Sequence, residues 1–247
     1  MEGRAGLVTG AAGGIGRASA VALGRAGASV VIADLESERE GGEETARLVE
    51  QAGGRAQFVA CDVTRSDQVA HLVDATVRAY GRLDFAHNNA GIGVQGRIVD
   101  MSEPDFDRCV AINLKGVWLG LKHELPRMLA AGGGAIVNTA SLAGLIGLPQ
   151  GGAYCASKHG VVGITKTAAV EYAQRGIRVN AVCPAAIETR MTDELPDELR
   201  AQAVAPQAIK RFGRPHEVAA AVVWLCSDRA SFITGAALPV DAGATAW

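Results

Sequence analysis

The sequence has few of the features that mark several classes of protein. Its 5 cysteines stand singly, with no C-x-x-C pair, so neither a disulfide framework nor a zinc site is predicted, and we expect reduced thiols. Proline numbers only 8 and aromatic residues make up 4%, which excludes collagen-like and low-complexity structure. There is no run of about 18 apolar residues to span a membrane. The 24 basic and 26 acidic residues give no surplus that favours nucleic acid or a polybasic membrane surface.

Glycine is in surplus, at 31 of 247 residues against a usual frequency of about 7%. With 49% hydrophobic and 20% charged residues, the chain can bury a sizeable core, and we expect one domain over residues 1–247. Its N-terminus enters an apolar run without a charged and apolar leader, which predicts a cytoplasmic protein.

Short β-branched runs alternate with longer helical patterns. Because most of these runs are apolar throughout, they indicate strands covered on both faces. The prediction is an α/β fold, a single-domain Rossmann-type doubly wound parallel sheet of about seven strands with helices on both faces. The predicted strands are 7–9, 29–33, 56–60, 83–87, 135–139, 177–182 and 236–240.

The predicted helices are 15–26, 37–52, 66–80, 103–131, 152–174, 192–204 and 215–227. Ser102 is the predicted N-cap of the fourth, because a proline and an acid follow it in the first turn. Pro126 predicts a kink or break near the end of that long helix. Residues 185–214 combine charge, proline and weak periodicity, and we interpret them as a mobile segment that covers the site.

A glycine-rich loop follows the first predicted strand. Gly10, Gly14 and Gly16 are spaced G-x-x-x-G-x-G between that strand and the helix that follows. Glycine lets the backbone approach a pyrophosphate closely, and the helix N-terminus offers free N–H groups to an anion. A simple turn is the alternative, but the position between strand and helix favours a dinucleotide site.

Asp34 ends the second predicted strand, 20 residues after Gly14. A carboxylate there can accept hydrogen bonds from both ribose hydroxyls and would repel the extra phosphate of NADP. Gly13 and Leu35 offer no cation to that phosphate, and the nearest basic residues are Arg17 and Arg39. NAD is therefore the predicted cofactor, although Asp34 could instead cap the next helix.

Tyr154 and Lys158 are four residues apart in a predicted helix, so they share one helix face. A nearby ammonium stabilises a phenolate and lowers the tyrosine pKa from about 10. Such a pair can exchange a proton with an alcohol or a carbonyl. Taken alone, the spacing is also that of a half-buried tyrosine beside a solvated lysine.

Together these motifs resemble the short-chain dehydrogenase/reductase family over essentially the whole chain. The other matching segments are Cys61–Thr64, Asn88–Gly91, Asn113 within 112–116, and Ser141 at the end of 136–141. The resemblance implies that Tyr154 is the general acid/base and that Lys158 lowers its pKa and binds the nicotinamide ribose. It further implies that Ser141 binds the substrate oxygen and Asn113 holds a water of the proton relay.

The resemblance also implies further cofactor contacts. Asp62 would bind the adenine amine beside Val63, Asn89 would line the cleft with Ala90 and Gly91, and Ile187 and Thr189 would contact the carboxamide. Asp62 and Asn88–Gly91 could instead form structural turns, and Val63 could belong to the core. The full predicted cofactor set is Gly10, Gly13, Gly14, Ile15, Gly16, Asp34, Leu35, Asp62, Val63, Asn89, Ala90, Gly91, Tyr154, Lys158, Pro184, Ile187 and Thr189.

Three positions depart from the family pattern. Ala185 and Ala242 stand where the family usually has glycine, so we expect a different backbone position near the carboxamide and a changed C-terminal turn. His87 replaces a residue that is usually apolar. We expect it to make a packing or polar contact at a strand end and not to act as a second base.

The predicted reaction is reversible hydride transfer between NAD(H) and a secondary alcohol or ketone, with no metal. Segments 93–97, 142–152 and 186–208 are the candidate substrate walls, and an apolar alicyclic, aryl or medium-chain alcohol suits them better than a phosphorylated sugar. Two alternatives are an NADPH-dependent 3-oxoacyl reductase on the same fold and a catalytically idle, dinucleotide-binding regulatory protein. The resemblance implies a homotetramer formed through helices 103–131 and 152–174 and the C-terminal segment.

Overall fold

The computed structural model describes residues 1–193 and 196–246. Seven strands form one sheet in the order β3-β2-β1-β4-β5-β6-β7, and every neighbouring pair is parallel. The strands are β1 (Ala5–Thr9), β2 (Ser29–Asp34), β3 (Arg55–Ala60), β4 (Phe85–Asn88), β5 (Gly134–Thr139), β6 (Ile177–Pro184) and β7 (Ala237–Val240). The predicted doubly wound parallel sheet is therefore confirmed.

Helices cover both faces of this sheet. They are α1 (Gly14–Arg25), α2 (Arg39–Gln51), α3 (Ser66–Tyr80), α4 (Glu103–Val110), α5 (Gly116–Ala130), α6 (Gly152–Tyr172), α7 (Arg190–Asp193), α8 (Asp197–Val204) and α9 (Pro215–Cys226). In β1, Leu7 packs with the core under α3, α5 and α6, and Val8 with the core under α1, α2 and α9. Successive strand residues thus bury on opposite faces, which explains why the strand segments are apolar throughout.

The strand order places the binding cleft. From β1 the chain builds outward to β2 and β3, then returns across the sheet to pair β4 with the other side of β1. The loops after β1 and β4 therefore leave the sheet in opposite directions, and a crevice opens between them at the carboxyl ends of the strands. Both glycine-containing motifs of the sequence follow these two strands.

The long fourth helix differs from its prediction. Ser102 is the N-cap as expected, since its hydroxyl accepts a hydrogen bond from Asp105 N at 3.2 Å. The sequence predicts a kink or break at Pro126; a break is wrong, because α5 continues past that proline. The interruption is instead a π-helical turn over Ala111–Lys115, between α4 and α5. An extra residue in a turn shifts the face that its side chains present, and π turns often occur at functional sites.

The covering segment, residues 185–214, differs from its predicted secondary structure. The predicted helix 192–204 is two short helices, α7 and α8, and its residues Glu194 and Leu195 lie outside the described part of the chain.

Among non-glycine residues described, a left-handed φ occurs at Gln150 (61°) and Ala242 (53°) but not at Ala185. Of the two alanines that stand where the family has glycine, only Ala242 therefore has a strained backbone.

The five cysteines are free, and Cys155 alone among them is partly exposed. Over residues 1–193 and 196–246, none of the helices has the length and apolarity to cross a bilayer.

Candidate active site

A cavity of about 730 Å³ lies at the carboxyl ends of the strands, a size typical of small-molecule and cofactor sites. Nearly all of the predicted site residues line it. These are Gly10, Gly13, Gly14, Ile15, Asp34, Leu35, Asp62, Val63, Asn89, Ala90, Gly91, Ser141, Tyr154, Lys158, Pro184, Ile187 and Thr189. Gly16 and Asn113 are buried and do not belong to the lining.

The glycine loop forms one end of the cavity. Gly10 and Gly14 have left-handed φ values of 63° and 50°, which favour glycine. At Gly16 a Cβ would lie 2.2 Å from the Gly10 carbonyl oxygen, so only glycine fits without a shift of the backbone. Helix α1 starts after Gly13 with no side-chain cap and no acidic residue in its first turn. Its first N–H groups are thus left for an external anion, as a dinucleotide pyrophosphate requires.

Asp34 lies beside this loop at the end of β2. Its Oδ2 accepts a hydrogen bond from Ala12 N, and its Oδ1 accepts one from Leu35 N, both at 2.9 Å. These bonds hold the carboxylate at the rim of the cavity and leave further lone pairs for other donors. Local hydrogen bonding and cofactor binding are therefore compatible at this residue.

Asp62 and Val63 follow β3 on the same side of the cavity. Asp62 Oδ1 accepts hydrogen bonds from the backbone N–H and the hydroxyl of Thr64, at 2.9 and 2.7 Å. Val63 packs against Gly116, where a Cβ would lie 2.9 Å from its Cγ2. Asp62 thus forms the structural turn, and Val63 the packing contact, that were the alternatives to a cofactor role. Both residues also line the cavity.

Tyr154 and Lys158 lie in the first two turns of α6, at the other end of the cavity. Lys158 is only 3% exposed, and its Nζ donates a hydrogen bond to Thr139 O at 2.7 Å. The same Nζ lies 5.7 Å from the centroid of the tyrosine ring. Lys158 is therefore a buried lysine with a carbonyl partner, not the solvated one of the alternative interpretation.

The pKa values of this pair move for reasons of burial. Burial lowers the pKa of Lys158 to about 8. Burial raises the pKa of the Tyr154 phenol, and the neighbouring Ser141 hydroxyl counteracts part of that rise. The sequence led us to expect that lysine lowers the tyrosine pKa; this expectation is wrong here, because desolvation of the phenolate raises it and the lowering contribution comes from Ser141.

Ser141 and Asn113 are held by backbone contacts. The Ser141 hydroxyl accepts a hydrogen bond from Ala143 N at 3.1 Å and donates one to Pro184 O at 3.5 Å. The Asn113 amide pairs with both backbone groups of Ile92, accepting from N at 2.8 Å and donating to O at 3.0 Å. The π turn directs Asn113 toward the loop after β4, so its side chain ties that loop to the helix.

Asn88 and Asn89 have different surroundings. The Asn88 amide is buried and donates hydrogen bonds to Glu124 and to Asn138. Asn89 Nδ2 donates to Thr9 O at 3.0 Å and to Gly10 O at 3.1 Å. The segment Asn88–Gly91 therefore fixes the glycine loop as well as lining the cavity.

Sequence reasoning missed several residues of the lining, among them Ile92, Arg108, Ile112 and Thr139. Thr139 could have been found from its place at the carboxyl end of a predicted strand. The others lie in a loop or on a helix, where no local pattern reports that the side chain reaches the cavity.

Comparison with known proteins agrees with this geometry. The family model for enoyl-(acyl carrier protein) reductases matches residues 10–245. A short-chain dehydrogenase/reductase of Aspergillus oryzae is 42% identical, with 98% of this chain and 95% of that protein covered. This chain is a short-chain dehydrogenase/reductase. Cis-4-hydroxycyclohexanecarboxylate dehydrogenase of Sinomonas cyclohexanicum is 46% identical to it (98% and 97% covered), and a 3-oxoacyl-acyl-carrier-protein reductase of Thermotoga maritima 40% (98% of each).

The fold of this short-chain dehydrogenase/reductase also matches solved structures. The crystal structure of levodione reductase superposes with a TM-score of 0.95 at 38% identity, with both chains fully covered. The chain is thus an oxidoreductase that uses a nicotinamide dinucleotide with a secondary alcohol or ketone. The predicted family, fold class and general reaction are confirmed.

Proposed function

We propose that this protein is an NAD-dependent dehydrogenase for a compact, largely apolar secondary alcohol, acting through Tyr154, Ser141, Lys158 and Asn113. The observation that carries the proposal is the single cavity that joins the glycine loop and Asp34 at one end to Tyr154 and Ser141 at the other. A bound nicotinamide dinucleotide would supply the hydride acceptor between them. The residues of the chain would bind the cofactor and the substrate and transfer the proton.

Proton transfer is the task of Tyr154. As a phenolate it would take the proton of the alcohol hydroxyl, while the Ser141 hydroxyl would turn from Pro184 O, its partner at 3.5 Å, and donate a hydrogen bond to the substrate oxygen. Lys158 has three N–H donors and uses one on Thr139 O, so two are available to the ribose and to the phenolate side of the site. Because the Asn113 amide is committed to Ile92, a relay through this residue would use its backbone carbonyl.

The charges around Asp34 support the proposed preference for NAD. Arg17, a nearby cation, is committed to Thr45 Oγ1 and to the carbonyls of Ala12 and Gly41. The other predicted neighbour, Arg39, pairs with two glutamates of its own segment, Glu36 and Glu43. Glu38 adds a second carboxylate to the same lining, where it pairs with Arg190 at 3.5 Å. A 2′-phosphate would thus meet two carboxylates, and each of these three arginines would have to leave its partners to bind it.

The remaining cofactor contacts are proposed on the same lining. Gly10, Gly13, Gly14, Ile15 and Gly16 would hold the pyrophosphate. Asp34 and Leu35 would contact the adenosine ribose, Asp62 and Val63 the adenine, and Asn89, Ala90 and Gly91 the middle of the cleft. Pro184, Ile187 and Thr189 would contact the nicotinamide.

Residues 185–214 are proposed to cover the substrate. A Cβ at Gly14 would lie 3.2 Å from Thr189 Cγ2, and one at Gly93 would lie 3.3 Å from Met191 Sδ. The segment thus reaches both the glycine loop and the loop after β4. Its Ile187 and Met191 give the cavity apolar surface, and the names of the cyclohexanecarboxylate dehydrogenase and levodione reductase point to ring alcohols and ketones as substrates.

A homotetramer is proposed from the exposed apolar side chains of the outer helices. Trp118 on α5 is 47% exposed and Val170 on α6 is 82% exposed, and large apolar groups on adjoining helices are typical of protein interfaces. Sedimentation of the protein as a monomer would contradict this assembly. We also propose a cytoplasmic location, the kind of compartment in which free thiols such as the five cysteines of this chain stay reduced.

A panel of secondary alcohols tests the proposed function. Cyclohexanol, substituted cyclohexanols, aryl carbinols and open-chain 2-alkanols are offered with NAD⁺ or NADP⁺, and reduced cofactor is followed by absorbance. We expect ring alcohols with NAD⁺ to give the highest kcat/KM. A higher kcat/KM with NADPH on a 3-oxoacyl thioester would support the reductase alternative. Tight NADH binding without turnover on any alcohol or ketone would support the regulatory one.

A further inference from the structure

The imidazole of His87 is buried in the centre of the sheet, below the cofactor cavity. The residue is fully buried in β4, and it is in register with Val8 of β1 and Val137 of β5. Burial lowers its pKa to about 3, so the ring is neutral at physiological pH. Within the described part of the chain, its Nδ1 has no hydrogen-bond partner. A buried polar ring in an otherwise apolar strand position needs a compensating contact.

That contact is the side chain of Thr139. His87 Nε2 lies 2.8 Å from Thr139 Oγ1, and this hydroxyl donates to Asn89 Oδ1 at 3.2 Å. A threonine hydroxyl has one hydrogen, and an amide oxygen can only accept. The hydroxyl therefore accepts from the imidazole, which makes Nε2 the protonated nitrogen of His87.

The same chain of donors continues into the glycine loop. Asn89 Oδ1 faces Thr139, so its Nδ2 is turned to the carbonyls of Thr9 and Gly10, at 3.0 and 3.1 Å. The amide also lies against the start of α1, since a Cβ at Gly16 would be 2.7 Å from Asn89 Nδ2. The orientation of this one amide thus sets how the first turn of the loop meets the start of α1.

We propose that His87 and Thr139 are positioning residues for the dinucleotide: the His87 N–H and the Thr139 hydroxyl hold the Asn89 amide in the orientation that shapes the glycine loop. Without the imidazole donor, the Thr139 hydroxyl can turn away and the Asn89 amide can rotate about its last bond. Thr139 O also accepts the Lys158 Nζ hydrogen bond, so one residue connects the glycine loop with the lysine.

This proposal depends on dinucleotide binding alone and is independent of the proposed NAD preference and of the alcohol. His87 does not line the cavity, so a change at this residue acts on the cofactor only through others. Its effect belongs in the affinity for the dinucleotide, whereas the rate of the chemical step at saturation is set by Tyr154 and its neighbours.

The test compares a variant that removes the donor with one that restores it. His87→Leu keeps an apolar volume without the N–H. His87→Gln can place an amide N–H near the position of Nε2. The Kd of NADH and of NADPH is measured by fluorescence titration of each folded variant, and the more tightly bound of the two is compared with wild type. We expect about three- to tenfold weaker binding for His87→Leu, the loss typical of one hydrogen bond, and recovery to within about twofold for His87→Gln.

Val137→Ala is the matched control. It removes apolar volume at the neighbouring, fully buried position in register with His87, so it lowers thermal stability without touching the hydrogen bonds. Its Kd should be that of wild type. Wild-type affinity in His87→Leu, or equal weakening in Val137→Ala, would overturn the proposal.

Thr139 provides an independent pair of variants if His87→Leu does not fold. Thr139→Val keeps the shape and removes the hydroxyl, whereas Thr139→Ser keeps the hydroxyl. We expect only the valine variant to bind the dinucleotide more weakly, since the hydroxyl hydrogen bond serves binding. Equal Kd values for the valine and serine variants would contradict the role assigned to the hydroxyl.

Discussion

Replacing Glu124 with Gln should alter how the stability of this protein depends on pH. Glu124 is 1% exposed on α5, and its Oε2 accepts a hydrogen bond from Asn88 Nδ2 at 3.1 Å. Burial raises its pKa from 4.5 to about 8, because the single amide contact does not replace the water around a carboxylate. At neutral pH this side chain is therefore a neutral carboxylic acid in the folded protein.

The sign and size of the effect follow from proton binding. Between pH 4.5 and about 8 the folded protein holds a proton that the unfolded chain has lost. Stability is thus greatest below the unfolded pKa and falls as pH rises through this window. At about 1.4 kcal/mol per pH unit, the full rise of the pKa corresponds to at most about 5 kcal/mol. The Gln variant has a similar shape and no proton to lose, so this dependence disappears.

The assay is urea unfolding followed by circular dichroism from pH 5.5 to 8.5, at one fixed protein concentration because assembly also contributes to stability. Other groups titrate equally in both proteins, so the difference between variant and wild type isolates Glu124. We expect the difference in unfolding free energy to grow in favour of Gln as pH rises. If the unfolding free energies of variant and wild type changed in parallel with pH over the whole range, Glu124 would not be a neutral, buried carboxylic acid.

Three further outcomes are expected. Tyr154→Phe should lower kcat by about 10²- to 10⁴-fold, the usual share of general acid–base catalysis, and leave the NADH Kd nearly unchanged; retention of most of the rate would exclude the proton-transfer role. Gly16→Ala should weaken dinucleotide binding at least about tenfold, because its Cβ would lie 2.2 Å from Gly10 O and the backbone must shift. The control Gly163→Ala, where a Cβ meets nothing within 4 Å, should bind the dinucleotide normally. Equal dinucleotide Kd values for Gly16→Ala and Gly163→Ala would contradict the steric argument. Ala242→Gly should raise the melting temperature by a few degrees, since a φ of 53° costs alanine about 1 kcal/mol; a lower melting temperature would show that the turn is unstrained.

Local features of the sequence were sufficient for the strands and for most of the cavity lining. Apolar runs such as 29–33 mark strands buried on both faces, because a parallel sheet hides alternate residues under opposite helix layers. The glycine loop and Asp34 could be assigned because strand ends in this fold meet at one edge. The same reasoning did not locate the interruption of the fourth helix, because α5 continues past Pro126 and the irregular turn lies eleven or more residues earlier, at Ala111–Lys115.

The sequence by itself determined the fold class, the family and the identity of Tyr154, Lys158, Ser141 and Asp34 as candidates, since periodicity and motif spacing are properties of neighbouring residues. Only the tertiary structure decided which partners these groups have. Lys158 binds a carbonyl of β5, and burial, a property of the packed whole, sets the direction of its pKa and that of Tyr154. His87 and Thr139 stand 52 residues apart in the chain, and adjacent pairing of β4 and β5 is what makes them hydrogen-bond partners beneath the cofactor loop.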